Sequence, residues 1–216
     1  MRPMTQVVRP YRGVSADERR AERRARLIEA GLDVLGSEGM SRLTMTEVCA
    51  RAGLTERYFY ESFSDRDELI QAVFGASVEE TNAAVAAALE TAPRDLLAVA
   101  RATAGAVIGV LTDDPRKARA YVEAIGSAAA REQRAASVRA YADLLAAQMR
   151  ELRGLTAKRH QAPLRLATTM LVGGLSEAVT SWLDGSLDMT RDEVVEEIAR
   201  LAVAAADAVQ AIPSRR

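Results

Sequence analysis

TMTEVCARAGLTERYFYESF, residues 44–63, is two short helical segments meeting at a glycine. Thr44 followed three residues later by Glu47 is a helix-start pattern. Val48, Cys49 and Ala52 then fall on one side of the turn that follows. Gly53 stops the segment, because glycine takes a left-handed backbone at little cost. Thr55 caps a second helix, expected over Glu56 to about Phe63. Phe59 and Phe63 lie four apart, so they share a face and anchor it. Glu56, Arg57, Tyr58, Tyr60, Glu61 and Ser62 are distributed around the remainder. A helix, a glycine turn and a second helix with polar leading residues form a shape that can enter a DNA major groove.

Upstream, Ser15 with Glu18 is a further capping box. The helix it opens is expected to run to about Gly36 on the stripe Leu27, Ile28, Gly31, Leu32, Val34 and Leu35. Residues 1–14 carry Pro3, Pro10 and Gly13 without an apolar period and read as a basic arm. Residues 1–26 hold Arg2, Arg9, Arg12, Arg19, Arg20, Arg23, Arg24 and Arg26 against Asp17, Glu18 and Glu22. The whole chain has a net charge of −1, so this cationic charge is local and suits a nucleic-acid or membrane surface.

Downstream, the pattern is helical throughout. Ser64 is the expected cap of a fourth helix reaching Ala92, and Pro93 the expected first position of a fifth ending near Leu111. Asp114-Pro115 opens a sixth, ending near Gly126. A seventh covers Ala128 to Leu152 with the stripe Val138, Tyr141, Leu144, Leu145 and Met149. An eighth is expected over Leu164–Leu183 and a ninth over Asp192–Ile212. The short break between these two makes them antiparallel neighbours. Hydrophobic residues make up 49% of the chain and aromatics only 4%, which favours an all-α core over a sheet.

Several chemistries are unsupported. Cys49 is the single cysteine, so no intramolecular disulfide can form, and it reads as a small buried group in a reducing cytoplasm. His160 is the single histidine, expected in a loop or frayed helix start before Pro163. A di-iron bundle needs two Glu-x-x-His motifs, and no phosphate loop or nucleophile elbow is present. No enzyme, metal or cofactor is therefore expected. No apolar run approaches a bilayer span, and the N-terminus shows no signal-peptide core.

Residues 41–69, SRLTMTEVCARAGLTERYFYESFSDRDEL, resemble the DNA-binding segment of the tetracycline-repressor (TetR/AcrR) family. The matching features are Leu43-Thr44, Val48-Cys49, Ala52-Gly53-Leu54, Thr55, Phe59-Tyr60, Phe63 and Asp67-Glu68-Leu69. The resemblance implies an all-α chain with a three-helix helix-turn-helix domain over 15–66, after an arm over 1–14. An about six-helix ligand-sensing and dimerisation domain over 67–216 would follow. It also implies a homodimeric, ligand-responsive repressor on an inverted-repeat operator in double-stranded DNA.

Thr44, Tyr60 and Arg66 match phosphate-contacting positions, and Glu56, Arg57 and Tyr58 the base-facing ones. Thr46 and Thr55, at the two helix starts, complete the expected DNA-contacting set. Glu61 departs from the family pattern. It either accepts from a cytosine amine or pairs internally with an arginine, and the second is preferred. Tyr121, Tyr141, Met149, Met170 and Trp182 are the expected contacts of an apolar or amphipathic small-molecule effector. Leu171, Gly174, Leu175, Ala178, Val195, Ile198 and Ala202 are expected at a four-helix dimer interface. A helical adaptor that never touches DNA is the alternative.

Overall fold

The structure, a computed structural model, describes residues 15–124 and 126–213. Nine α-helices and one short 3₁₀ turn make up the regular structure among them. Ser15 caps α1 (Ala16–Glu38) with the expected reciprocal box to Glu18. The helix runs two residues past Gly36 and stops at Gly39, whose φ of 89° lies in the region glycine favours. A 3₁₀ turn, Met40–Arg42, leads to α2 (Met45–Ala52). Thr44 caps α2 by accepting from the Glu47 amide, while the Glu47 carboxylate turns to Arg51 at 3.1 Å. Gly53 ends α2 in the left-handed conformation at φ 61°. There the Arg26 guanidinium donates to the Ala52 carbonyl at 2.5 Å, placing positive charge at the negative end of the helix.

The next helix, α3 (Glu56–Tyr60), is shorter than expected. Phe63 lies beyond it in the following turn but stays buried beside Phe59, with ring centroids 5.6 Å apart. The cap of α4 (Arg66–Thr91) is Asp65, not Ser64. Asp65 accepts from the Glu68 amide, and Glu68 accepts from the Ser64 amide. The expected boundary after residue 66 falls at the start of this continuous helix. Its leading residues Leu69, Ile70 and Val73 share one core with Leu27, Leu35, Val48, Phe59 and Phe63.

The helical body follows as α5 (Leu96–Thr112), α6 (Pro115–Ala124), α7 (Ala128–Arg153), α8 (Lys158–Leu183) and α9 (Arg191–Gln210). Pro93, the expected first position of α5, lies ahead of the helix, which Asp95 caps by accepting from the Ala98 amide. The last two helices pack together as expected, and α9 also lies along α5. No single described helix is long and apolar enough to cross a membrane.

Two departures involve α8. It begins six residues earlier than expected and contains Pro163, near enough to its start that the turn survives. His160 therefore lies inside its first turn and is only 4% exposed, which corrects the expectation of a loose or solvated side chain. Neither ring nitrogen has a hydrogen-bond partner among the described residues. An unpartnered buried polar group costs about 1–3 kcal/mol. His160→Leu is accordingly expected to raise the melting temperature, by roughly 2–4 °C for each kcal/mol relieved, read by differential scanning calorimetry. A lowered melting temperature would show that the imidazole is satisfied in solution.

Candidate nucleic-acid interface and interior cavity

α3 is fixed from behind by Phe59 and presents polar groups forward. Arg57 is 84% exposed at its side chain and Tyr60 61% exposed. Thr44, Thr46, Thr55, Glu56 and Arg66 are also exposed, so seven of the eight expected DNA-contacting residues reach solvent around one small domain. Thr55 caps α3 without a side-chain hydrogen bond, leaving its hydroxyl uncommitted to the helix. The Thr46 hydroxyl donates weakly to the Glu56 carboxylate at 3.4 Å, linking the two helix starts. Tyr58 differs from the rest. It is half-buried, with the Arg23 guanidinium 4.5 Å above its ring, a cation–π contact that covers one face.

Glu61 pairs internally. Arg23 donates to its carboxylate at 3.2 Å and Arg57 at 3.3 Å, and Arg20 donates to its main-chain carbonyl at 2.7 Å. The acid thus holds α1 to the end of α3 and orients Arg57. Its charge is offset by two guanidinium groups, so it opposes an approaching polyanion less than a free carboxylate would. Arg24 lies over the Phe63 ring at 5.0 Å. Residues 1–14, the arginine arm, lie outside the described residues.

A second feature lies in the body, where α4 to α9 line a cavity of about 240 Å³ that opens to solvent. Its walls are largely apolar and include Phe74, Val107, Ile108, Leu144, Leu171 and Val179. Tyr121 and Tyr141, two of the expected effector contacts, line it. Burial pushes the Tyr141 hydroxyl pKa up, and that hydroxyl donates to Asn82 at 3.0 Å. The other three expected contacts do not line it. Met149 is fully buried in the core of α5, α7, α8 and α9, and Met170 points to solvent. Trp182 donates its indole N–H to the Met189 carbonyl at 2.8 Å and packs beside Ile108.

The dimer set also needs correction. Leu171, Leu175, Ile198 and Ala202 face the cavity, and Val195 packs with the Ile108 cluster. Only Gly174 and Ala178 are exposed. Because α9 lies along α5, its main apolar stripe is used within the chain. The outward stripe is Leu166, Met170, Gly174 and Ala178 on α8, four residues apart throughout, with Leu201, Ala204 and Ala208 on α9. Leu166, Met170 and Leu201 are 62%, 68% and 50% exposed. Sequence reading passed over Leu166 and assigned Met170 to the effector site, although the four-residue spacing marks both as parts of one outward stripe.

α6 joins the two features. At Gly36 an added Cβ would meet the Arg116 Cβ at 2.4 Å, so α1 and α6 touch backbone to backbone. Arg116 donates to Glu29 at 2.9 Å and to Asp114 at 2.7 Å, and pairs with Asp33 at 3.5 Å. Arg119 donates to the Ser37 carbonyl at 2.6 Å, and Glu123 accepts from the Met40 amide at 3.1 Å. Two turns of α6 therefore grip the C-terminal end of α1, while its Tyr121 reaches the cavity and shares a 2.9 Å hydrogen bond with Ser176 of α8.

These features define a helix-turn-helix unit joined to an all-helical body around a largely apolar cavity. Residues 27–73 match the model of bacterial regulatory proteins of the tetR family. No curated protein sequence matches the chain. Solved structures share its fold at low identity. A tetR-family transcriptional regulator from Streptomyces coelicolor is 18% identical with a TM-score of 0.69, covering 88% of this chain and 83% of that one. The fatty acid degradation regulator FadR from Bacillus halodurans is 18% identical at 0.69, covering 83% and 94%. FadR from Bacillus subtilis, in complex with stearoyl-CoA, is 15% identical at 0.69, covering 84% and 98%.

The α1–α6 contact carries a pH prediction. Hydrogen bonds from Arg51 hold the Asp33 carboxyl below its usual range, and those from Arg116 do the same for Asp114. A carboxyl depressed in the folded state stabilises it above the unfolded value. That contribution is lost as pH falls through the folded value, hence below about pH 4. The urea midpoint is expected to fall on acidification through that range, and to fall less steeply in Arg116→Gln. An unchanged slope in the variant would remove Arg116 from the acid response.

Proposed function

We propose that the chain is a homodimeric, effector-responsive repressor of the cytoplasm that binds an inverted-repeat operator. The observation that carries this reading is α3 itself, a five-residue helix anchored by Phe59 and leading with exposed Glu56, Arg57 and Tyr60. Residues 15–66 then form the DNA-binding unit, and residues 67–216 the sensing and dimerisation unit. Thr44, Tyr60 and Arg66 set register on phosphates, with Thr46 and Thr55 at the helix starts supporting them. Arg57 is the principal base reader, held by Glu61, with Glu56 beside it. Tyr58 is mainly a brace beneath Arg23. A second copy of the chain supplies the other recognition helix one DNA turn away.

The exposed apolar stripe on α8 and α9 supports self-association. Contiguous apolar surface of this kind is uncommon on a monomer, and both helices contribute to one side. In the dimer, Gly174 and Ala178 allow close approach while Leu166, Met170 and Leu201 fill the seam. The cavity supports an apolar or amphipathic effector. The fatty-acid regulators with the same fold are compatible with that class, at identities that speak for fold alone. An effector that moves Tyr121 moves α6, and α6 holds α1. Release of DNA requires the effector to prefer the conformation with altered helix spacing, since affinity alone shifts nothing.

Purified protein is expected to retard a DNA fragment from upstream of its own coding region, with affinity falling steeply as salt rises. Tyr60→Phe and Arg66→Ala should weaken binding to all sequences alike, and Arg57→Ala should change sequence preference, measured by selection from a random library. No retarded fragment at low salt would sink the regulator reading, and a uniform loss in all three variants would remove Arg57 from base reading. Independently, Met170→Glu combined with Leu201→Glu is expected to convert the dimer to monomer in analytical ultracentrifugation and abolish operator binding with helicity retained. A variant that still sediments as a dimer would place the interface elsewhere.

A further inference from the structure

Within the cavity, one charged side chain stands among the described lining residues, Arg134 of α7. We infer that the effector is a medium-chain aliphatic monocarboxylate whose carboxylate is received by Arg134 beside Ser176 and Tyr121. This inference rests on the reading of the cavity as the effector site and names the chemistry of its occupant.

The argument begins with the placement of Arg134. It stands four residues before Val138 and seven before Tyr141, on the α7 face that lines the cavity. Its side chain is 29% exposed, so one end of an otherwise apolar chamber remains in contact with water. There Nε donates to Ser176 Oγ at 3.2 Å and Nη2 to Glu177 Oε2 at 3.4 Å. A guanidinium carries more N–H groups than these two acceptors use, arranged as a fork that matches a carboxylate. Glu177 is a poor permanent partner, because its side chain is 71% exposed and such pairs contribute little. Ser176 Oγ also lies 2.9 Å from the Tyr121 hydroxyl, which places a second O–H group at the same end.

The remaining wall fixes the tail. Val138, Leu144, Leu145, Leu171, Val172 and Leu175 make that wall mainly apolar. The hydroxyls of Ser77, Thr81, Thr103 and Ser137 donate to carbonyls of their own helices and that of Tyr141 to Asn82, and Gln133 and Gln148 are the further polar groups. At roughly 30 Å³ per water-sized group, 240 Å³ accommodates about eight heavy groups. That is a chain near octanoate in length. Stearoyl-CoA is far larger, so the likeness in fold to the stearoyl-CoA-binding regulator does not set the size of the ligand here. A cation would meet Arg134 with like charge, and a neutral alcohol would leave its fork unmatched.

Isothermal titration of the full chain with octanoate, 1-octanol, octylamine and octanoyl-CoA tests the inference. Octanoate is expected to bind about tenfold or more tighter than 1-octanol, the usual worth of a charge-assisted hydrogen bond, and octylamine weakest. Arg134→Gln should abolish the preference for octanoate while leaving 1-octanol binding intact, which also shows that the variant is folded. Glu177→Gln, which frees the guanidinium, should tighten octanoate by about threefold. Equal binding of octanoate and 1-octanol, tighter binding of octanoyl-CoA, or an Arg134→Gln protein that keeps the octanoate preference would each overturn the carboxylate assignment. Octanoate bound through Arg134 with no effect on operator binding would support the ligand class and overturn the effector reading. Operator release by a compound bound independently of Arg134 would overturn the ligand class and leave the effector reading standing.

Discussion

The close approach of α1 and α6 at Gly36 is the constraint on which the rest of the molecule depends. No side chain separates the two backbones there, since even a methyl group at residue 36 would overlap Arg116. Helices in such contact cannot slide independently, because packed interiors respond in discrete steps rather than by gradual deformation. The ion pairs of Arg116 and the hydrogen bonds of Arg119 and Glu123 fix the angle of the same contact. The small N-terminal unit is therefore positioned by one element of the body, and that element carries a cavity-lining tyrosine. α4 offers a second route, since its first turns belong to the N-terminal core and Phe74, Ser77 and Val78 line the cavity.

The arginines of α1 show how charge is distributed between scaffold and surface. Arg20, Arg23 and Arg26 all reach carbonyl or carboxylate groups of α2 and α3. Arg24 lies over an aromatic ring. These residues brace the recognition helix from behind, so the basic character of α1 is partly spent on architecture. Glu61, the residue that fits a DNA-facing helix least well by charge alone, is part of the same brace. Its two arginine partners come from opposite sides, one from the supporting helix and one from the recognition helix itself.

The helical hairpin was legible because its signals are local. Capping residues, the glycine at residue 53 and the Phe59–Phe63 pair each act within a few residues, and the structure has them in place. Two helix starts were misplaced: Asp65 caps α4 in place of Ser64, and α5 begins at Leu96 behind its Asp95 cap rather than at Pro93, an ionised carboxylate being a stronger acceptor for helix amides than a hydroxyl. The cavity was much less legible. A stripe of apolar residues reads the same whether it meets another helix or empty space, so Leu171 and Ile198 looked like interface while Met149 looked like lining. Burial of His160 was hidden for a similar reason: nothing in the local sequence shows that a helix begins at Lys158 and folds its first turn inward. Arg134 did carry a signal, as a charged residue in register with Val138 and Tyr141, and continuing that stripe one turn upstream would have found it.

Trp182 is the one tryptophan of the chain. Its indole is tied to the Met189 carbonyl across the turn between α8 and α9, and it packs in the cluster that forms one end of the cavity wall. The molecule thus has a built-in fluorophore placed in the body and remote from the recognition helix. Emission colour and quenching will follow the polarity of that turn, while events at α3 alter them only when the body itself rearranges. The same optical signal therefore separates occupancy of the interior from engagement of DNA, without a label and in a single cuvette.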